Sequence, residues 1–136
     1  DVTPRRVVAW ERRRRLPWPQ MVGAFDERVA LYPGPAAHDK TGIGNVVDDY
    51  MQVPAEGIVL VGRVRSELFT TYIKAIEADE LRSQKITFMY NEHKYVKSTD
   101  LYRTGGHPPD SFVSGCMAHY AATEIDAHAE RRLAGF

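Results

Sequence analysis

Short apolar runs, alternately strand-like and helical and separated by proline and glycine, most constrain what this chain can fold into. Arg5 to Arg15 reads as extended, with Val7, Val8 and Trp10 as strand formers, and Pro17 ends the run. Met21, Val22, Phe25, Val29 and Tyr32 then recur at helical spacing, with Asp26, Glu27 and Arg28 on the outside. Pro33-Gly34-Pro35 breaks that helix. A very short strand, Ala36 to His38, delivers Asp39 into a tight turn, and the next helix carries Val46, Val47 and Tyr50. Pro54 to Gly57 reads as loop and Ile58 to Val61 as a buried strand. The clearest helix runs from about Val64 to Asp79, with Val64, Leu68, Phe69, Tyr72, Ala75 and Ile76 as its apolar stripe. Lys85 to Met89 reads as a short strand, Glu92 to Val96 as a helical turn and Ser98 to Pro109 as loop. The last helix starts near Asp110 and buries Phe112, Val113, Cys116, Met117 and Tyr120. Strands alternating with helices predict an α/β layered domain.

The 136 residues suit one domain with one core, residues 1–136. Hydrophobic residues make up 43% and charged ones 26%, a composition that excludes disorder and fibres. No apolar run approaches the roughly 20 residues of a membrane helix. No signal peptide is visible, so a cytoplasmic setting is expected. Cys116, the one cysteine, reads as a buried structural thiol. The five histidines, His38, His93, His107, His119 and His128, show no metal-ligand spacing, which argues against zinc. Formal net charge is zero, so any DNA contact must come from local patches. Arg12 to Arg15 is one such patch, with Arg12 and Arg14 sharing a face if the run is a strand. Arg63, Arg65 and Lys74 make a second around the long helix. A solvated, charge-blunted edge is the other reading of the first patch.

Asp39 stands where open α/β sheets gather ligands, at the carboxyl end of a strand. It reads two ways: as a metal-binding carboxylate, or as an Asp that hydrogen-bonds its own turn. Thr41-Gly42-Ile43-Gly44-Asn45 could offer backbone N–H groups to an anion, but it lacks the Gly-Lys-Ser/Thr ending of a phosphate loop and the third glycine of a dinucleotide fingerprint. Thr41 as a helix N-cap is its plainer role. Asp110 likewise reads as an N-cap or as a ligand. The functional reading needs Asp39 and Asp110 to converge on a hard cation such as Mg²⁺ or Mn²⁺.

Several segments in order resemble the C-terminal nuclease region of phage and prophage terminase large subunits. Leu16-Pro-Trp-Pro-Gln20 resembles their strand-to-helix handover. Ala36-Ala-His-Asp-Lys-Thr-Gly-Ile-Gly-Asn-Val-Val47 is similar to their strand-end Asp-x-Thr-Gly-x-Gly segment. The stretch from Glu77 to Phe88, Glu92 before the final loop, and Gly106-His-Pro-Pro-Asp-Ser111 resemble later segments, the last being the closing His-Asp-Asp region. The resemblance spans roughly residues 5 to 122. It implies a ribonuclease H-like fold: a mixed central sheet with flanking helices, cutting packaged double-stranded DNA with two divalent metals, Mg²⁺ or Mn²⁺. By this resemblance Asp39 matches the second acidic ligand and Asp110 the acid of the final helix. Arg12, Arg14, Arg63 and Arg65 would hold DNA. The full protein would meet a portal and a small terminase subunit inside a bacterial host cell.

The chain departs from that pattern in three places. No strand before Arg5 carries the family's first catalytic Asp, and Asp1 is not given that role. Pro-Pro-Asp-Ser replaces two adjacent acids. The ATPase half, with its phosphate loop, is not in the chain. A missing front piece, with loss of the first strand or strands, is therefore expected. The leading expectation is a metal-dependent endonuclease domain of a DNA-packaging terminase. The alternative is an inactive prophage remnant or truncated domain that binds DNA or a partner without cutting. A small nucleotide-binding enzyme using Thr41 to Asn45 is a weaker third option, because its partner motifs are missing.

Overall fold

The computed structural model describes residues 3–41, 46–103 and 106–125, and the chain is a mixed α/β protein that divides into two compact units. The first unit comprises Asp1–Glu11 and Val61–Cys116; the second comprises Arg12–Leu60 and Met117–Phe136.

In the first unit, strand β1 (Arg5–Val7) pairs in parallel with β4 (Leu81–Ser83), Arg5 opposite Leu81 and Val7 opposite Ser83. Helices α3 (Gly62–Glu77), α4 (Thr87–Lys94), α5 (Ser98–Tyr102) and the start of α6 (Asp110–Tyr120) supply the core. Phe69, Tyr72, Leu101, Phe112 and Cys116 form its centre, with Leu68, Ile73, Leu81, Val96 and Val113 packed around them. Burying a side chain such as Phe69 contributes about 1.5–3 kcal/mol. The Phe69 and Phe112 rings meet edge to face at 5.5 Å, as do Tyr72 and Phe112 at 5.2 Å. A Cβ at Gly115 would collide with the Tyr72 hydroxyl, so only glycine lets Tyr72 reach this part of α6.

The long helix has the expected stripe, with its ends uncovered. Phe69, Tyr72 and Ala75 are buried and Leu68 is half-buried, whereas Val64 and Ile76 are 49% and 41% exposed. At roughly 100° per residue, Val64 lies about 140° around the helix from Phe69. Ile76 stands in the last turn. The strand expected over Lys85 to Met89 is instead a loop and the start of α4. Ile86, Thr87 and Phe88 have strand propensity, but the segment buries Met89 and sets His93 one turn beyond it, which is helical spacing. The loop expected from Ser98 contains α5, whose Leu101 is buried.

In the second unit, α1 (Trp18–Leu31) begins after Pro17, with Pro19 in the first turn where no N–H is needed. Strand β2 (Ala37–Asp39) pairs in parallel with β3 (Glu56–Ile58), His38 opposite Gly57. The short helix α2 (Val46–Tyr50) lies between them in sequence and packs on α1. The π-helical turn Ala121–Ile125 follows α6. Val22, Val47, Ile58, Leu60, Met117 and Ala121 are buried. Asp26, expected to face outward, turns toward the end of α2, where its carboxylate accepts the Gln52 N–H at 3.0 Å. The Tyr120 hydroxyl donates to Glu56 at 3.0 Å.

The mixed central sheet does not form among the described residues. Each three-residue strand finds its partner inside its own unit, and both pairs are parallel. The buried strand expected over Ile58 to Val61 is instead β3 at Glu56–Ile58, because Glu56 and Gly57 pair with Ala37 and His38, and Val59 and Val61 beyond it are exposed. Within the run expected to be extended to Arg15, the paired strand stops at Val7, and Arg15 has a left-handed φ of 56°. Arg12 and Arg14 therefore lie outside any strand, and strand alternation gives them no shared face. Among the described residues no helix is long and apolar enough to cross a membrane.

Candidate functional site

Asp39 is the last residue of β2, exposed, at the carboxyl end of a parallel strand pair. Its Oδ1 accepts the Thr41 N–H at 2.8 Å, an Asx turn that fixes the carboxylate against the outgoing backbone. The Thr41 hydroxyl accepts the Leu60 N–H at 2.8 Å, and the described part of α2 begins at Val46. This bond ties the exit of β2 to the chain leaving β3. Gly42 to Asn45, the proposed anion-binding turn, lie outside the described residues.

The opposite face of β2 carries a second polar group that sequence reasoning missed. Successive strand residues point to opposite faces, so His38 faces away from Asp39. The His38 Nε2 lies 3.3 Å from Asp48 Oδ1, and the Lys40 ammonium lies 3.3 Å from Asp48 Oδ2. Gly57 makes room for this arrangement, since a Cβ there would come within 3.2 Å of the His38 ring and 2.8 Å of the Lys40 stem. The His38 Nδ1 is buried and has no hydrogen-bond partner. No local periodicity links His38 to Asp48, because ten residues and a turn separate them.

Asp110 belongs to the first unit and Asp39 to the second, so the two carboxylates expected to converge sit in different compact units. Asp110 is exposed and is the first residue of α6, not its cap; the Pro109 carbonyl accepts the Val113 N–H at 3.1 Å. The side-chain cap comes from another helix. Glu92 on α4 accepts the Ser111 N–H at 3.1 Å, placing a carboxylate at the positive end of the α6 dipole. The Ser111 hydroxyl beside it is buried without a partner.

The four expected DNA-binding arginines differ in surroundings. Arg14 is exposed and Arg12 half-buried. Arg63 is exposed and pairs with Glu67 one turn on, at 2.6 Å. Arg65 turns inward: it donates to the Asp100 and Gly106 carbonyls at 3.3 Å each, and its guanidinium lies 5.2 Å from the Phe69 ring centre. It braces the segment leading to α6.

Within the first core, the buried Tyr72 and the half-buried His93 form a polar pair. His93 Nδ1 donates to the Met89 carbonyl at 2.7 Å, and its Nε2 accepts the Tyr72 hydroxyl at 2.8 Å. Both ring nitrogens of a neutral imidazole are thereby satisfied. Burial holds the His93 pKa below its ordinary value against the opposing Met89 bond and Glu92 charge. Burial also raises the Tyr72 hydroxyl and pushes the Cys116 thiol up to about 12, so both stay protonated. This cluster is a packed core.

An open cleft of about 620 Å³ in the second unit is lined by Val29, Pro33, Pro35, Val53, Pro54 and Glu56, among others. Its wall is almost wholly apolar, and it offers shape without a catalytic group.

Among the described residues no three His, Cys, Asp or Glu side chains form a metal-holding group. Asp48 is already shared by His38 and Lys40, and the ammonium opposes a cation there. Mg²⁺ is commonly held by one or two carboxylates, with water and substrate phosphate completing its shell. Asp39 offers one exposed carboxylate of the kind that can anchor such an ion. No protein family, characterised protein or solved structure matches the chain.

Proposed function

We propose that this chain is a terminase-type nuclease region, of ribonuclease H-like ancestry, that engages double-stranded DNA and uses Asp39 to hold Mg²⁺ or Mn²⁺ against a phosphate. The observation that carries this reading is an exposed carboxylate at the carboxyl end of a parallel strand, held in orientation by the Thr41 N–H. A divalent ion there would neutralise phosphate charge and activate water. Asp39 contributes the anionic oxygen, and the exposed arginines contribute salt-sensitive hold on the backbone. In a complete terminase, the portal and the small subunit would be the protein partners, in the cytoplasm of a bacterial host. Asp110 joins the same function as the acid of α6 by its resemblance alone.

A second reading has its own observation. Asp39 already serves its turn, and among the described residues no group of three His, Cys, Asp or Glu gathers to hold a metal. A domain of that kind binds DNA or a partner and does not cut. Nicking of a supercoiled plasmid in Mn²⁺ separates the two. The first reading expects slow nicking that Asp39→Asn abolishes while the circular dichroism spectrum is kept. Undiminished nicking by Asp39→Asn removes Asp39 from the proposal. Plasmid binding without nicking in either protein establishes the second reading.

A further inference from the structure

We infer that the outward face of α4 and the turn after it form a stacking platform for single-stranded nucleic acid, centred on Tyr95 and Tyr90 and flanked by Lys85, Lys94 and Lys97. This rests on the reading that the chain works on DNA, and it adds where an unpaired strand would lie.

Helix α4 turns Met89 into the core and half-buries Tyr90, Glu92 and His93, with Lys94 exposed one turn beyond Tyr90. The Lys85 ammonium lies 4.3 Å from the centre of the Tyr90 ring. Lys94 lies 5.7 Å from the same ring and 5.3 Å from that of Tyr95. Cation–ring pairs of this kind occur about once per 70–80 residues, whereas these fall within residues 85–95. Tyr95 is 65% exposed, one of the most exposed large side chains described. Lys85, Lys94 and Lys97 are exposed as well.

The acids of this stretch are turned to other work. Glu92 accepts from Ser111 at the start of α6, and Asp100 accepts the Lys97 N–H at 2.9 Å. The charged side chains left exposed over residues 85–97 are therefore lysines, beside the exposed Tyr95. That combination fits a polyanion carrying exposed aromatic faces. Bases in a duplex are already stacked and cannot lie on Tyr95, whereas unpaired bases can. An acidic polypeptide would satisfy the lysines and leave the rings unused.

Fluorescence anisotropy of a labelled oligothymidylate with the intact chain tests this. The expected result is tighter binding of the single strand than of a duplex of equal length. Phosphate contacts by three lysines would give a slope of log affinity on log salt of about −2. Tyr95→Ala should weaken single-strand binding by about ten-fold, and Tyr95→Phe should keep it, because stacking needs the ring and not the hydroxyl. Tyr95 is exposed, and an unchanged melting temperature would show that the Ala variant is folded. Unchanged single-strand affinity in Tyr95→Ala would overturn the inference, as would equal binding of a duplex or of polyglutamate. Asp39→Asn should leave the oligonucleotide affinity alone, so failure of the Asp39 reading and failure of this one give different results.

Discussion

His93 shows how one side chain couples the core to pH. Its neutral form with the proton on Nδ1 satisfies both ring nitrogens, and burial holds its pKa below the ordinary 6.5. In the unfolded chain the same ring takes a proton near pH 6.5. Between the lowered folded value and 6.5 the unfolded state binds more protons than the folded state. The stability linked to His93 is therefore complete above about pH 6.5 and is lost as pH falls through the folded value. An NMR titration of the His93 ring should give a midpoint below 6.5, with the melting temperature falling over the same window. A midpoint at or above 6.5 would contradict the buried, neutral assignment. The sequence does not announce this residue: His93 is one of five histidines, and only the packing of Tyr72 and Met89 around it sets it apart. The strand-end position of Asp39 was legible because a short strand followed by a single Asp is a local feature. Asp48, bonded across ten residues, was not.

At the scale of elements, helices were easier to read than strands. The apolar spacing of α1, α3 and α6 located each of them. The strands have three residues apiece, too few for a period-2 pattern to declare itself. Their positions follow from parallel partners far away in sequence, such as Leu81 for Arg5. The exit of α3 is a second case. Asp79 takes a left-handed φ of 58°, while Glu80 and Asp79 donate to the Ala75 and Ile76 carbonyls. This is the Schellman arrangement, in which glycine is usual. Asp79 compensates by a fork of bonds to Arg82, which holds its carboxyl below the usual range, although the pair is exposed and worth little. Asp79→Gly and Asp79→Ala both remove the pair, but only alanine must carry a Cβ into left-handed backbone. Thermal melts should place the glycine variant above the alanine variant. The reverse order would show that the Arg82 fork, and not the backbone, governs this exit.

For the whole molecule, zero net charge means that function depends on where charge is collected. Two such places are an acid at a strand end in one unit and lysines beside tyrosines along a helix in the other. The central claim concerns the first of these. Binding of Mn²⁺, followed by loss of its free electron paramagnetic resonance signal in the presence of a short DNA duplex, tests it most directly. The duplex supplies the phosphate that one carboxylate needs to complete the ion's shell. The account predicts uptake by the chain above that of the duplex alone, and its loss in Asp39→Asn with the fold intact. Equal uptake by the two proteins, or no uptake beyond the duplex alone, would contradict it.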